Sequence, residues 1–123
     1  MDARRTLALA GLLIALATVL GAFGAHALKA HLSQDKLQVY ETAVRYHFLH
    51  ALGLLAIGVL LRSMDGELLR WSAALILAGI LLFSGSLYLL TFGAPRFLGI
   101  VTPIGGLALI AGWILFATTV LRR

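Results

Sequence analysis

The sequence predicts an all-α integral membrane protein: a single domain over residues 1–123 with four transmembrane helices in an up-down bundle. Apolar residues make up 61% of the chain, against about 45–50% in an ordinary soluble domain. Charged residues make up only 12%, and a soluble chain of 123 residues could not bury so much apolar surface. Four apolar runs also approach the roughly 20 residues that a helix needs to cross about 30 Å of hydrocarbon.

Charged or helix-breaking residues bound the four runs. Counted from those boundaries, the predicted spans are Thr6–Ala25, Thr42–Leu61, Trp71–Phe92 and Leu98–Leu121. The connections 62–70 and 93–97 are short, and they contain an Asp-Gly turn signal and the helix breaker Pro95, respectively. Short connections favour antiparallel neighbouring helices.

The first run has a second interpretation, as a secretory signal. Arg4 and Arg5 give it a charged start, and Ala25-His26-Ala27 has the shape of a cleavage site. Its apolar stretch is longer than the 7–15 residues that are typical of a signal. The length therefore favours a retained transmembrane helix.

The connection between the first two runs differs from the others. Residues 33–50 have helical spacing, with Ser33 as the N-cap. Glu41 and Arg45 are four residues apart in the order that favours an ion pair. We therefore expect a short amphipathic helix at the membrane surface, whose charged face is either simply solvated or binds a partner. The residues that define its other face are Leu37, Tyr40, Val44 and His47.

The net charge of +5 does not indicate nucleic-acid binding, because the basic residues are scattered at the edges of the apolar runs, as in membrane flanks. The chain has no cysteine, which excludes disulfides and thiolate chemistry. Six Lys or Arg lie on the side of both termini and four on the other side. The positive-inside rule then predicts cytoplasmic termini.

Polar residues concentrate in the half of the bundle that faces the first connection. At 1.5 Å per residue, His47 and His50 lie roughly 21 and 17 Å from Leu61, near the membrane midplane, and His26 lies at the headgroup boundary. Buried polar groups in a bilayer need partners inside the protein. The candidate polar cluster is His26, Glu41, Arg45, His47, His50, Ser84, Ser86, Tyr88 and Thr102.

Within this cluster we expect His47 or His50 to bond with a hydroxyl of the third or fourth span. If His50 bonds to the 84–88 segment, His50→Leu lowers stability. The hydroxyl candidates are Ser84, Ser86, Tyr88 and Thr102.

Four motifs in order resemble the YgdD-like family of small bacterial inner-membrane proteins: "GAFGAHAL" (21–28), "YETAVRYHFLHALGLL" (40–55), "LLFSGSLYLL" (81–90) and "GIVTPIGGLALIAGWILF" (99–116). The resemblance covers nearly the whole chain. It implies a four-span protein of the bacterial inner membrane. It implies no reaction, because the function of the family is unknown.

The residues leave several functions open. A structural or accessory membrane protein is favoured, with the lipid bilayer and a homo-oligomer or membrane-protein partner as its contacts and no cofactor. The alternative is a small transporter or channel-like protein acting as a homo-oligomer, because polar groups inside a membrane indicate function by default. A haem or metal site would use His47 or His50 with His26. Catalysis is not expected, because no nucleophile, base and acid stand at a recognisable spacing.

Overall fold

The computed structural model describes all 123 residues, and all of its secondary-structure elements are helices. The five α-helices are α1 (Ala3–His26), α2 (Gln34–Leu61), α3 (Glu67–Gly79), α4 (Gly85–Thr91) and α5 (Val101–Leu121). A π-helical segment, Ile80–Ser84, joins α3 to α4, so these three form one continuous rod. Four rods are long and apolar enough to cross a membrane, which confirms the predicted four-span fold: Ala3–Ala30, Gln34–Leu61, Glu67–Thr91 and Arg96–Leu121.

The predicted amphipathic helix between the first two spans is not a separate element. Ser33 is the N-cap, as expected, and its hydroxyl accepts a hydrogen bond from the Lys36 amide. From there α2 continues to Leu61 for 28 residues without a break. Nothing between residues 34 and 52 is a glycine or proline, so the hydrogen-bond ladder has no reason to stop. At about 42 Å, α2 exceeds the hydrocarbon thickness, and its first turns extend beyond it.

The packing centres on α2. This helix packs against α1 on one side and against α3 and α4 on the other, while α5 packs against α3 and the π-helical segment. The apolar core lies in the half of the bundle nearer the termini. Its largest members are Leu54, Ile57, Leu61, Leu69, Ile76, Ile80 and Leu109.

Both termini and the α2–α3 connection lie together at one end of the bundle. The Arg123 guanidinium donates to the Met64 carbonyl at 3.3 Å. In the same connection, Arg70 forms a two-point ion pair with Asp65, with N–O distances of 2.9 and 2.7 Å. The Arg70 hydrogen bond holds the pKa of the Asp65 carboxyl below its usual value. Arg70 and Arg123 are two of the six basic residues that the sequence places on the side of the termini.

The third span ends in a Schellman motif at Gly93. The Gly93 amide donates to the Leu90 carbonyl and the Ala94 amide to the Leu89 carbonyl, the pairing that defines this motif. Gly93 has a φ of +96°, which glycine adopts without steric cost. Pro95 follows and prevents the helix from continuing. The predicted short connection with a helix break at Pro95 is thus confirmed.

The π-helical segment brings the backbone of the third span against Gly105 of α5. A Cβ at Gly105 would overlap the backbone nitrogen of Phe83 and lie 2.8 Å from the Leu82 carbonyl carbon. Small residues allow such close approach of helices in membranes, where dispersion contacts replace the hydrophobic effect as a driving force. The adjacent Gly106 differs, because a Cβ there would lie 3.7 Å from the Phe83 ring, an ordinary contact.

We predict that Gly105→Ala lowers the free energy of unfolding by roughly 1–3 kcal/mol, because the added methyl meets backbone that cannot move without separating the helices. Gly106→Ala is the matched control. It should be neutral or stabilising by up to about 1 kcal/mol through helix propensity. Reversible denaturation in detergent micelles measures both. Equal effects of the two substitutions would contradict the close approach at Gly105.

Candidate functional site

Five of the candidate residues meet where α2, the third span and α5 come together, and we call this group the polar layer: His47, Ser84, Ser86, Tyr88 and Thr102. At its centre, the His47 side chain is 2% exposed. Its Nδ1 lies 2.8 Å from the Tyr88 hydroxyl, and the two rings meet edge to face at 5.9 Å. This bond links α2 to α4.

Three further hydrogen bonds complete the polar layer, two of them between different helices. The Ser84 hydroxyl donates to the Ala43 carbonyl of α2 at 2.8 Å, fully buried. The Ser86 hydroxyl donates to the Phe83 carbonyl of its own helix, and its oxygen lies 2.6 Å from the Thr102 hydroxyl, from which it can accept. The polar layer therefore connects the third span to α2 through two bonds and to α5 through one.

Tyr40 extends this network to α1, a role that sequence reasoning missed. The Tyr40 hydroxyl donates to the Leu20 carbonyl, and its ring meets the Tyr88 ring edge to face at 5.6 Å. Gly24 of α1 makes room for the ring, because a Cβ there would lie 2.5 Å from it. The signal was present in the sequence, since Tyr40 shares a helical face with His47.

Ser72 makes a second buried bond that the sequence analysis did not predict. Its hydroxyl donates to the Gly112 carbonyl of α5 at 2.8 Å. It lies in the half of the bundle nearer the termini, among the residues of the apolar core. A serine among apolar residues was the available signal, but a serine can equally bond to its own helix, as Thr91 does.

The expected bond between a histidine of α2 and a hydroxyl of the third span is formed by His47, and His50 does not form one. Its Nδ1 lies 2.9 Å from the Tyr46 carbonyl of its own helix, and its ring stacks on the Tyr46 ring at 5.8 Å. The buried face of α2 runs through His47, Ala51 and Leu54, which leaves His50 at its edge. His50→Leu therefore removes a local bond and no inter-helix bond.

The other three candidates lie outside the polar layer. His26 is the last residue of α1 and is exposed, and Glu41 and Arg45 are exposed on α2. Glu41 and Arg45 do not form the expected ion pair, since the structure has salt bridges only at Asp2–Arg5 and Asp65–Arg70. Water competes for exposed charges, and such pairs gain little.

The polar layer leaves few groups free for chemistry. One buried side-chain atom lacks a hydrogen-bond partner, His47 Nε2. No three His, Asp or Glu side chains come together in a metal-binding arrangement. The hydrogen bonds of the polar layer connect helices to one another.

The fold and the polar layer together define an α-helical, four-span integral membrane protein with hydrogen-bonded helix contacts. Residues 20–106 match the family described as "Protein of unknown function (DUF423)". The chain belongs to this family. This match, together with the relatives described next, confirms the expected YgdD-like resemblance and the membrane location.

Relatives in several bacteria support the assignment. The chain is 43% identical over 108 residues to the UPF0382 membrane protein YwdK of Bacillus subtilis, covering 87% of this chain and 88% of the relative. It is 46% identical over 95 residues to the UPF0382 membrane protein SH2409 of Staphylococcus haemolyticus, covering 77% of each. The UPF0382 inner membrane protein YgdD of Escherichia coli is 35% identical over 103 residues, covering 84% of this chain and 79% of YgdD. No solved structure matches the chain.

We predict that Tyr88→Phe lowers the free energy of unfolding by about 0.5–2 kcal/mol, because it leaves both nitrogens of the buried His47 ring without a partner. Tyr46→Phe is the matched control, since Tyr46 is 39% exposed and its hydroxyl makes no hydrogen bond to the protein. Reversible unfolding in detergent compares the two. A Tyr46→Phe loss as large as that of Tyr88→Phe would show that the His47–Tyr88 bond contributes nothing specific.

Proposed function

We propose that the protein is a structural or accessory component of the bacterial inner membrane and has no catalytic activity of its own. The observation that carries this proposal is the use of the polar layer. His47, Ser84 and Ser86 each form a hydrogen bond to a neighbouring helix. Catalytic groups, by contrast, must face a place where a substrate atom can sit.

The interior of the bundle supports the same proposal. Around the polar layer, α2 presents Ala43, Ala51 and Leu54 to its neighbours, and all three are completely buried. The largest cavity opens sideways between α2 and α5 instead of running along the bundle axis. A single chain of this shape favours a packing role over a conducting one.

The accessory role needs a partner, and the first turns of α2 offer a surface for one. Glu41 and Arg45 line a small cavity of about 210 Å³ between α1 and α2. Both charges are exposed and lack ion-pair partners within the chain. Unpaired charges at the membrane boundary suit contact with another membrane protein or a second copy of the chain.

The test is affinity purification of the tagged protein from native membranes in mild detergent, with identification of the proteins that co-purify. We expect a defined set of membrane proteins or a homo-oligomer, reduced by Glu41→Ala with Arg45→Ala and unaffected by Thr18→Ala on the exposed surface of α1. Purified protein in liposomes should show no solute flux. Flux that Tyr88→Phe alters would overturn the proposal in favour of a transporter.

We also propose that both termini face the cytoplasm. The end of the bundle that holds the termini and the α2–α3 connection has six Lys or Arg, and the other end has four, which supports this orientation by the positive-inside rule. Because the chain has no cysteine, single cysteines report each side cleanly.

We predict that a membrane-impermeant maleimide labels Ala30→Cys in intact spheroplasts, and that it labels Ser63→Cys only after permeabilisation. Both positions are exposed and lie at opposite ends of the bundle. The reverse labelling pattern would establish the opposite orientation.

A further inference from the structure

A second feature of the bundle lies on its outer surface, and we call it the aromatic groove. It is a cavity of about 590 Å³ that opens sideways between α2 and α5, beside the π-helical segment. Small-molecule sites typically enclose about 300–1,000 Å³ and have mostly apolar walls with few polar groups. The residues that shape it include Tyr46, His50, Phe83, Gly106, Ile110 and Trp113.

The walls of the groove are two matching helix faces. On α2, Tyr46 and His50 are one turn apart, and on α5 Gly106, Ile110 and Trp113 follow the same helical spacing. The rings form a continuous row: Tyr46 lies 4.9 Å from Phe83 and 5.8 Å from His50, measured between ring centroids. His50 in turn lies 6.2 Å from Trp113.

Two glycines keep the groove open. Gly53 of α2 receives the edge of the Trp113 indole, since a Cβ there would overlap the ring. Gly106 presents no side chain to the groove, and a Cβ there would only touch the Phe83 ring at 3.7 Å. The indole is thus held in place against α2, and the space above Gly106 stays empty of protein.

The groove has polar atoms that the protein does not satisfy. A carbonyl can only accept, so the bond from His50 to the Tyr46 carbonyl means that Nδ1 carries the proton. In the neutral ring, Nε2 is then an acceptor without a donor. The Trp113 indole N–H and the Tyr46 hydroxyl also make no hydrogen bond within the chain. His50 lies roughly 17 Å from the Leu61 end of α2, at a depth where lipid tails offer no partner.

A second copy of the chain does not satisfy these atoms well. Copies inserted in the same orientation form a two-fold interface by placing the same patch on both sides. Two concave grooves facing each other would leave both of them unfilled. A lipid tail can fill the volume, but it has no hydrogen-bonding group. The occupant that fits is small, soluble in hydrocarbon, and able to donate and accept hydrogen bonds.

We propose that the aromatic groove binds the ring of a lipid-soluble hydroquinone or of its quinone. A flat ring of this class stacks against the row of aromatic rings that lines the groove. One hydroquinone hydroxyl donates to His50 Nε2, while the ring oxygens accept from the Trp113 indole N–H and the Tyr46 hydroxyl. The proposal concerns binding only, goes beyond the structural role, and does not depend on it.

Trp113 makes the proposal directly measurable. The chain has two tryptophans, and Trp71 is 57% exposed, away from the groove. In a Trp71→Phe background, Trp113 is the only indole. We predict that a decyl-substituted benzoquinone, titrated into this protein in detergent micelles, quenches the fluorescence of Trp113 with saturation at one quinone per chain. Gly106→Leu should weaken the binding at least about tenfold, because it fills the groove.

A competition measurement tests the hydrogen bond separately. In competition with bound quinone, the hydroquinone form of the probe should bind with about tenfold higher affinity than the quinone form. The reason is that only the hydroquinone can donate a hydrogen bond to Nε2. His50→Leu should remove this difference while leaving the fold intact. Gly11→Leu is the control, since Gly11 is exposed and has nothing within 4 Å of an added Cβ.

Two results would overturn the proposal. Quenching that rises linearly and is equal in the Gly106→Leu and Gly11→Leu proteins would show partition of the quinone into the micelle alone. Efficient disulfide cross-linking of Ile110→Cys between copies, undiminished by excess quinone, would show that a second copy covers the groove. If the protein does not bind the quinone but still co-purifies with the same partners, the binding proposal fails and the proposed accessory role is unaffected.

Discussion

Hydrocarbon supplies no hydrogen bonds, and this constraint governs every polar group in the spans. The backbone meets it by forming helices from nearly the whole chain. The side chains meet it by bonding across helix contacts, as His47 does with Tyr88 and Ser84 with the Ala43 carbonyl. Each such bond also fixes the register of two helices. The buried polar groups, which are costly to leave unbonded, therefore help to specify how the bundle packs.

The close approach at Gly105 and the polar layer depend on each other. The π-helical segment places the Phe83 backbone against Gly105. Ser84, its last residue, bonds to α2, and Ser86, two residues later, bonds to α5. A π turn holds more residues than an α turn, which changes the faces that later residues present. Without the segment, the two serines would face other neighbours. Backbone contact and hydrogen bonding thus converge within one turn of the third span.

His47 and His50 have different surroundings and different roles, although both lie on α2. They are three residues apart on α2, yet one ring is buried in the polar layer and the other lines the aromatic groove. The first is bonded to Tyr88 and helps to hold the bundle together. The second bonds only to its own helix and keeps an acceptor free. The structural and the binding proposals therefore concern different atoms and can be tested independently.

The sequence by itself determined the four spans, the Ser33 cap and the helix break at Pro95, because these follow from hydrophobic run length and local backbone chemistry. It also identified the polar residues near the midplane, since depth follows from residue count along a helix. It did not determine which of them meet. That depends on rotation of each helix about its axis, and an extra residue in the π-helical segment alters that rotation beyond what a regular period of 3.6 predicts. Only the tertiary structure assigned His47 to Tyr88, left His50 in the groove, and showed α2 as one helix, because those outcomes are set by contacts between helices distant in sequence.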